Sequence, residues 1–207
     1  MNDRVFNGIS AELISAVLTY PLNTIKTNSQ IGNIIKPGFK NLTKGIHWCL
    51  LTELANAVIF YSVFENTKNT KGPLAASIIG STAAICTSYP LNVRRKLAQV
   101  GKSIVLKNNY SGLHVAIFNG VPGITINYTI REKLLKKCEN SKLKPLCGVL
   151  SSAISIVATH PLDTISTCIA TRSPFKWCYI FNGFKHRFIE KNLTIGSKML
   201  LLGHLNK

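Results

Sequence analysis

Acidic residues are scarce in this 207-residue chain: eight Asp and Glu stand against 25 Lys and Arg, for a formal net charge of +17. Charge of any kind is thin, at 16% of residues, while 46% are apolar. A disordered basic tail has the opposite balance and is excluded. Six cysteines and 14 glycines exclude a disulfide scaffold and a collagen-like chain. Cys49, Cys86, Cys138, Cys147, Cys168 and Cys178 contain no C-x-x-C pair and no His spacing suited to zinc, so neither a metal nor a cofactor is expected. Cys49, Cys86 and Cys147 lie in apolar segments and read as small buried hydrophobes. No Sec-type signal and no Arg-rich transit peptide is read at the N-terminus. There is no nucleophile–base constellation, so no enzyme is expected. Two classes remain: a basic globular protein that binds nucleic acid or acidic ligands, and a membrane protein with basic loops.

The positions without charge favour the second. Pro73 to Val93 and Tyr110 to Ile130 hold no charged residue, and Pro145 to Leu162 holds none either. Val5 to Ile25 carries only Glu12, and Gly45 to Phe64 only Glu53. About 20 mostly apolar residues cross a bilayer as a helix. A sixth segment, Gly183 to Leu205, is interrupted by Lys185, Arg187, Glu190, Lys191 and Lys198, and reads as amphipathic or cavity-lining. Six such segments leave too little polar surface for a soluble core. The nucleic-acid reading also lacks aromatic–basic interleaving.

The chain repeats itself three times. Tyr20-Pro21-Leu22-Asn23-Thr24-Ile25-Lys26 returns as Tyr89-Pro90-Leu91-Asn92-Val93-Arg94-Arg95 and as His160-Pro161-Leu162-Asp163-Thr164-Ile165-Ser166. The prolines are 69 and 71 residues apart. Gly45, Gly112 and Gly183 follow them by 24, 22 and 22 residues, and Glu65 and Glu132 lie 20 residues beyond the first two glycines. Each unit reads as two spans joined by a short basic loop, giving repeats over 1–70, 71–141 and 142–207. Proline within a helix removes a hydrogen bond and bends it, so the prolines are expected to lie at one depth. Small residues stand 13 positions before each proline, at Gly8, Ser77 and Gly148, where helices can pack closely.

This pattern resembles the mitochondrial carrier family, through three copies of Pro-x-Asp/Glu-x-x-Lys/Arg in a shortened, divergent form. The resemblance covers essentially the whole chain. It implies an all-α fold of six transmembrane helices, multi-pass in the mitochondrial inner membrane, with three pseudosymmetric repeats around a central substrate cavity. The repeats are shorter than the family's. The shortening falls between proline and glycine, where room remains for little more than one helical turn in place of the family's surface helix.

The resemblance also implies site residues. A matrix gate would pair Asn23 with Arg95, Asn92 with Ser166, and Asp163 with Lys26; only the last is an ion pair, so this gate should open more easily than a full network. Gln30 and Gln99 match the family's bracing glutamine, whereas Ala170 does not. The opposite gate would use Phe64-Glu65 with Lys68. Its second copy keeps Glu132 but has Leu135 in the basic position, with Lys136 next to it, and its third copy, Leu202-Gly203 with Asn206, keeps nothing. Substrate contacts map to Thr52 and Glu53, Asn119 and Gly120, and Glu190 and Lys191, with Arg187 matching a frequent arginine. Ionisable groups inside a span are costly and usually face a cavity. Gly120-Val121 resembles, slipped by one residue, a base-binding pair of nucleotide carriers.

Between the proline and glycine landmarks stand Lys26, Lys36, Lys40, Lys44, Arg94, Arg95, Lys96, Lys102, Lys107, Arg172 and Lys176, with Asp163 the one acid. Such a ring attracts anions or anionic lipid, and the family binds cardiolipin on that side. The expected function is a monomeric, alternating-access exchanger (an antiport) of anionic metabolites, nucleotides first. The alternative is a non-transporting protein on the same scaffold, acting as an insertase or docking partner.

Overall fold

A computed structural model describes residues 3–33, 38–103, 109–137 and 144–205. Lys36, Lys107, Cys138 and Asn206 lie outside them, and so does the side chain of Leu202. Six long helices, of 22 to 28 residues, make up the fold: α1 (Asp3–Gln30), α3 (Ile46–Lys71), α4 (Pro73–Gln99), α5 (Leu113–Lys137), α6 (Lys144–Ala170) and α7 (Phe184–Leu205). A single turn, α2 (Phe39–Leu42), lies between α1 and α3, and a 3-10 turn, Trp177–Tyr179, lies between α6 and α7. Among the described residues of the shortened segments, these turns are the helical structure found beyond the ends of the long helices. No strand occurs among the described residues.

Each long helix packs on its neighbours in sequence, and α7 closes on α1, so the six form a ring. The most extensive seams are α3 with α4, α5 with α6 and α7 with α1. Burial runs inside out. Ile14, Val17 and Leu18 of α1 face outward, as do Leu51, Leu54 and Val58 of α3 and Leu150, Ile154 and Val157 of α6. Ser15, Thr19, Thr52, Ser81, Ser151, Ser155 and Thr159 face inward and are buried. Many of these hydroxyls donate to the carbonyl one turn back, as Thr19 does to Ser15 (2.8 Å), Ser81 to Ser77 (2.6 Å) and Thr159 to Ser155 (2.8 Å). They therefore need no solvent, and their small bulk lets helices approach. The stretches Phe39–Lys71, Pro73–Gln99 and Leu146–Ala170 are long and apolar enough to cross a membrane. This is an all-α membrane fold.

The proline–glycine register of the sequence appears as repeated geometry. Pro21, Pro90 and Pro161 lie inside α1, α4 and α6. The residue before each proline reaches the start of the following long helix: Tyr20 Oη donates to the Lys44 carbonyl (2.6 Å) and Tyr89 Oη to the Ser111 carbonyl (2.8 Å). His160 instead stacks on Phe181 and meets Phe184 edge-on. Three residues beyond the proline, Thr24 donates to the Leu42 carbonyl (3.0 Å) and Thr164 to that of Ile180 (3.2 Å). Val93 holds the equivalent position in α4 and has no hydroxyl to offer.

The same three helices end alike. The amides of Asn33, Lys102 and Ser173 donate to the carbonyls of Asn28, Leu97 and Cys168, each around a left-handed residue: Gly32 (φ 74), Gly101 (φ 73) and Arg172 (φ 51). This is the Schellman closure, and Arg172 adopts it where glycine is the usual occupant.

Gly45, Gly112 and Gly183 are left-handed too, with φ of 83, 85 and 77. Each also faces the next proline-bearing helix around the ring. A Cβ on Gly45 would lie 2.7 Å from Ala98 Cβ, on Gly112 2.7 Å from Ile169 Cγ2, and on Gly183 3.0 Å from the Lys26 carbonyl oxygen. Gly72 has a similar φ of 79 but open space around it. Gly112→Ala is therefore expected to cost about 2–4 kcal/mol, combining backbone strain and overpacking, and Gly72→Ala about 1 kcal/mol. Thermal unfolding of both variants in detergent checks this. Equal losses would show that the close approach of α5 to α6 carries no energetic weight.

Candidate functional site

A cavity of about 500 Å³ lies inside the ring and is lined by all six long helices. Among the expected substrate residues, Glu53, Asn119, Gly120, Arg187, Glu190 and Lys191 line it. Thr52 does not: it is buried in α3, and its hydroxyl donates to the Trp48 carbonyl at 2.6 Å. One residue of helical rotation, about 100°, separates it from Glu53.

The floor of the cavity is a cluster of charge. Lys26 Nζ lies 3.7 Å from Asp163 Oδ2 and 3.5 Å from Glu190 Oε2. Arg187 Nε lies 3.5 Å from Asp163 Oδ2, and Arg187 Nη2 donates to Thr159 Oγ1 at 3.2 Å. All four ionic side chains are largely removed from the surface. In a low-dielectric span, such charges persist only when paired and hydrogen-bonded.

Of the three expected cross-helix gate pairs, only Lys26 with Asp163 is formed. Arg95 turns away from Asn23; it pairs with Glu53 at 3.0 Å and donates to Asn92 of its own helix at 2.7 Å. A carboxylate one helix away outcompetes a neutral amide for a guanidinium. Asn23 then donates to Glu190 Oε1 at 2.9 Å. Asn92 is thus engaged within α4, and Ser166 is buried with no hydrogen bond among the described residues.

The glutamines tie helices together. Gln30 donates to Asp163 Oδ2 (2.9 Å) and accepts from Thr167 Oγ1 (2.9 Å). Gln99 donates to Asn23 Oδ1 (3.0 Å) and accepts from Thr27 Oγ1 (3.0 Å). At the opposite end, Glu65 pairs with Lys68 at 2.6 Å and Glu132 with Lys136 at 2.9 Å, each within its own helix and partly exposed. Neither of these pairs crosses to another helix, but on the same half of the bundle Lys198 of α7 pairs with Glu12 of α1 at 2.5 Å.

Sequence reasoning missed part of the lining. Gly123, Asn127, Tyr128 and Arg131 continue the Gly120 face of α5, and Lys96, Ser155 and Thr159 join from α4 and α6. The i, i+3, i+4 spacing from Gly120 to Arg131 was the available signal. Four buried atoms of cavity-lining side chains have no hydrogen-bond partner among the described residues: Arg95 Nε, Arg187 Nη1, Asn119 Oδ1 and Glu190 Oε2, the last held only by the Lys26 charge. Buried polar atoms of this kind are costly unless something else meets them.

No family model matches the chain. Curated proteins do. It is 24% identical over 198 positions to the probable S-adenosylmethionine carrier 2, chloroplastic, of Arabidopsis thaliana, covering 79% of this chain and 56% of that protein. It is 28% identical over 181 positions to an uncharacterized mitochondrial carrier of Schizosaccharomyces pombe, covering 77% and 70%. It is 22% identical over 209 positions to a putative mitochondrial carrier protein of Saccharomyces cerevisiae, covering 79% and 74%. These relatives are carriers, named mitochondrial in the two fungi and chloroplastic in the plant.

The match to the plant carrier thus spans little more than half of that protein's length. The similarity takes in most of this chain, so it does not rest on one motif. Lys26 and Asp163 supply a direct test of the cavity floor. Lys26→Met and Asp163→Asn should each lower thermal stability, and the double variant should lose less than the sum, with a coupling of about 1–3 kcal/mol. Strictly additive losses would show that the two do not interact.

Proposed function

We propose that this chain is an alternating-access transporter of a small amphoteric metabolite across the mitochondrial inner membrane. The observation that carries the reading is a pair of side chains on one face of α7 that keep hydrogen-bonding capacity. Arg187 Nη1 offers a donor to an anionic group, and Glu190 Oε2, three residues on, faces Lys26 without a hydrogen bond and offers an acceptor that a cationic group can share. A ligand with both a carboxylate and a positive group answers both. S-adenosylmethionine is such a molecule, with a carboxylate, an amine and a sulfonium, and relatives of this chain carry its name. We take it as the first substrate to test.

In this reading, Lys26, Asp163, Gln30 and Gln99 form the matrix-side gate, with Asn23, Asn92, Arg95 and Ser166 as its neutral or diverted members. Glu65, Lys68 and Glu132 belong to the opposite gate. Pro21, Pro90 and Pro161 mark the helix bends that bring the gate together. The chain works as a monomer. Its basic loop end, with Lys40, Lys44, Lys102 and Lys176, faces anionic lipid such as cardiolipin.

A second reading has its own support. The cavity is lined by Lys26, Arg95, Lys96, Arg131, Arg187 and Lys191 against Glu53, Asp163 and Glu190, a surplus of positive charge that suits a nucleotide or another anion. Uptake into proteoliposomes separates the readings. Saturable uptake of S-adenosylmethionine is expected, lowered at least about tenfold by Arg187→Ala, which removes a buried charge partner worth several kcal/mol, and also lowered by Glu190→Gln. Uptake of ADP that ignores Glu190→Gln would favour the anion reading. No uptake of either, from correctly folded protein, would favour a docking or insertase role.

A further inference from the structure

Lys96 is a buried cation that the gate described above does not use. Six positions after each proline stand Thr27, Lys96 and Thr167, and nine positions after stand Gln30, Gln99 and Ala170. In two seams the threonine donates to the glutamine of a neighbouring helix: Thr27 to Gln99 at 3.0 Å and Thr167 to Gln30 at 2.9 Å. The third seam lacks both partners. Ala170 is buried and offers no acceptor, and Lys96 stands in the threonine position. Lys96 is only 8% exposed, lines the cavity, and donates to Thr167 Oγ1 at 3.1 Å.

The carboxylates nearby are already taken. Asp163 is held by Lys26, Arg187 and Gln30, and Glu190 by Lys26 and Asn23. Arg95 has Glu53 to itself. Lys96 is in no ion pair among the described residues. The floor therefore holds three cations, Lys26, Lys96 and Arg187, against two anions, Asp163 and Glu190. An unpaired ammonium inside a span is costly and usually marks a ligand path. The fold does not demand it, because the two equivalent positions are threonine.

We infer that Lys96 is a substrate-binding residue, which receives a carboxylate of the transported metabolite at the cavity floor together with Arg187 Nη1. The inference rests on the amphoteric-substrate reading above. The bound carboxylate balances the floor charge, so the Lys26–Asp163 contact can part without stranding a cation.

The test uses purified protein in detergent, with L-methionine and 3-(methylthio)propylamine, its counterpart lacking the carboxylate, as probes. L-methionine should raise the unfolding temperature of the wild type and the amine should not. Lys96→Thr combined with Ala170→Gln rebuilds the missing brace. It should unfold at a higher temperature without ligand, and should bind L-methionine at least about tenfold more weakly. Lys96→Met, which keeps the stem without the charge, should show the same weakening if the double variant does not fold. An L-methionine shift as large in these variants as in the wild type, or none in the wild type, overturns the inference. A wild type with a Lys96-dependent shift that takes up no S-adenosylmethionine supports the carboxylate site and overturns the adenosyl substrate alone.

Discussion

One buried carboxylate organises this molecule. Asp163 of α6 accepts from Gln30 of α1 and faces Lys26 of α1 and Arg187 of α7. Three helices meet at one oxygen, Oδ2. In a hydrocarbon setting an ion cannot be left without partners, so these helices cannot part unless new partners replace the old. The contacts that hold the bundle are thus the contacts that the proposed transport cycle has to exchange. Asn23 and Asn92, standing where further carboxylates would complete the pattern, keep the number of such exchanges low.

The rest of the architecture follows from the same solvent problem. A ring of six helices with apolar faces outward leaves a polar interior, which must be satisfied locally. Back-bonded serines and threonines do this within their own helices, and amide side chains such as Gln30 and Gln99 do it between helices. The interior stays polar enough to hold water or a hydrophilic ligand, yet few of its groups depend on either. The few that do, on Arg95, Arg187, Glu190 and Asn119, stand out for that reason.

Much of the fold could be read from spacing alone. The proline-to-glycine interval marks where one helix ends and the next begins, because a left-handed glycine and a helix terminus are both local events. The Lys26–Asp163 contact was legible through the family resemblance, which implies a pairing between the acid two residues after Pro161 and the base five residues after Pro21. The partners of Arg95 were not. Whether it meets Asn23 or Glu53 depends on how far α3 is rotated about its axis, and no offset encodes that. Thr52 failed for the same reason, one residue from Glu53 and on another face. Lys96 was counted only as part of a basic loop, because sequence does not reveal that α4 carries it into the cavity.

The joints between consecutive helices differ in stiffness. Where α1 meets α3 and α4 meets α5, a phenol hydroxyl is hydrogen-bonded to a backbone carbonyl. That bond has a narrow range of useful lengths and angles, so each pair turns as one lever. Where α6 meets α7, His160 instead lies against the rings of Phe181 and Phe184. Ring contacts stay favourable over a wide span of offsets and tilts, so at this corner the directional contact comes from Thr164, which donates to the Ile180 carbonyl. The three corners are thus pinned differently: α1–α3 by a phenol and a threonine, α4–α5 by the phenol without the threonine, and α6–α7, which carries Asp163, Arg187 and Glu190, by the threonine without the phenol.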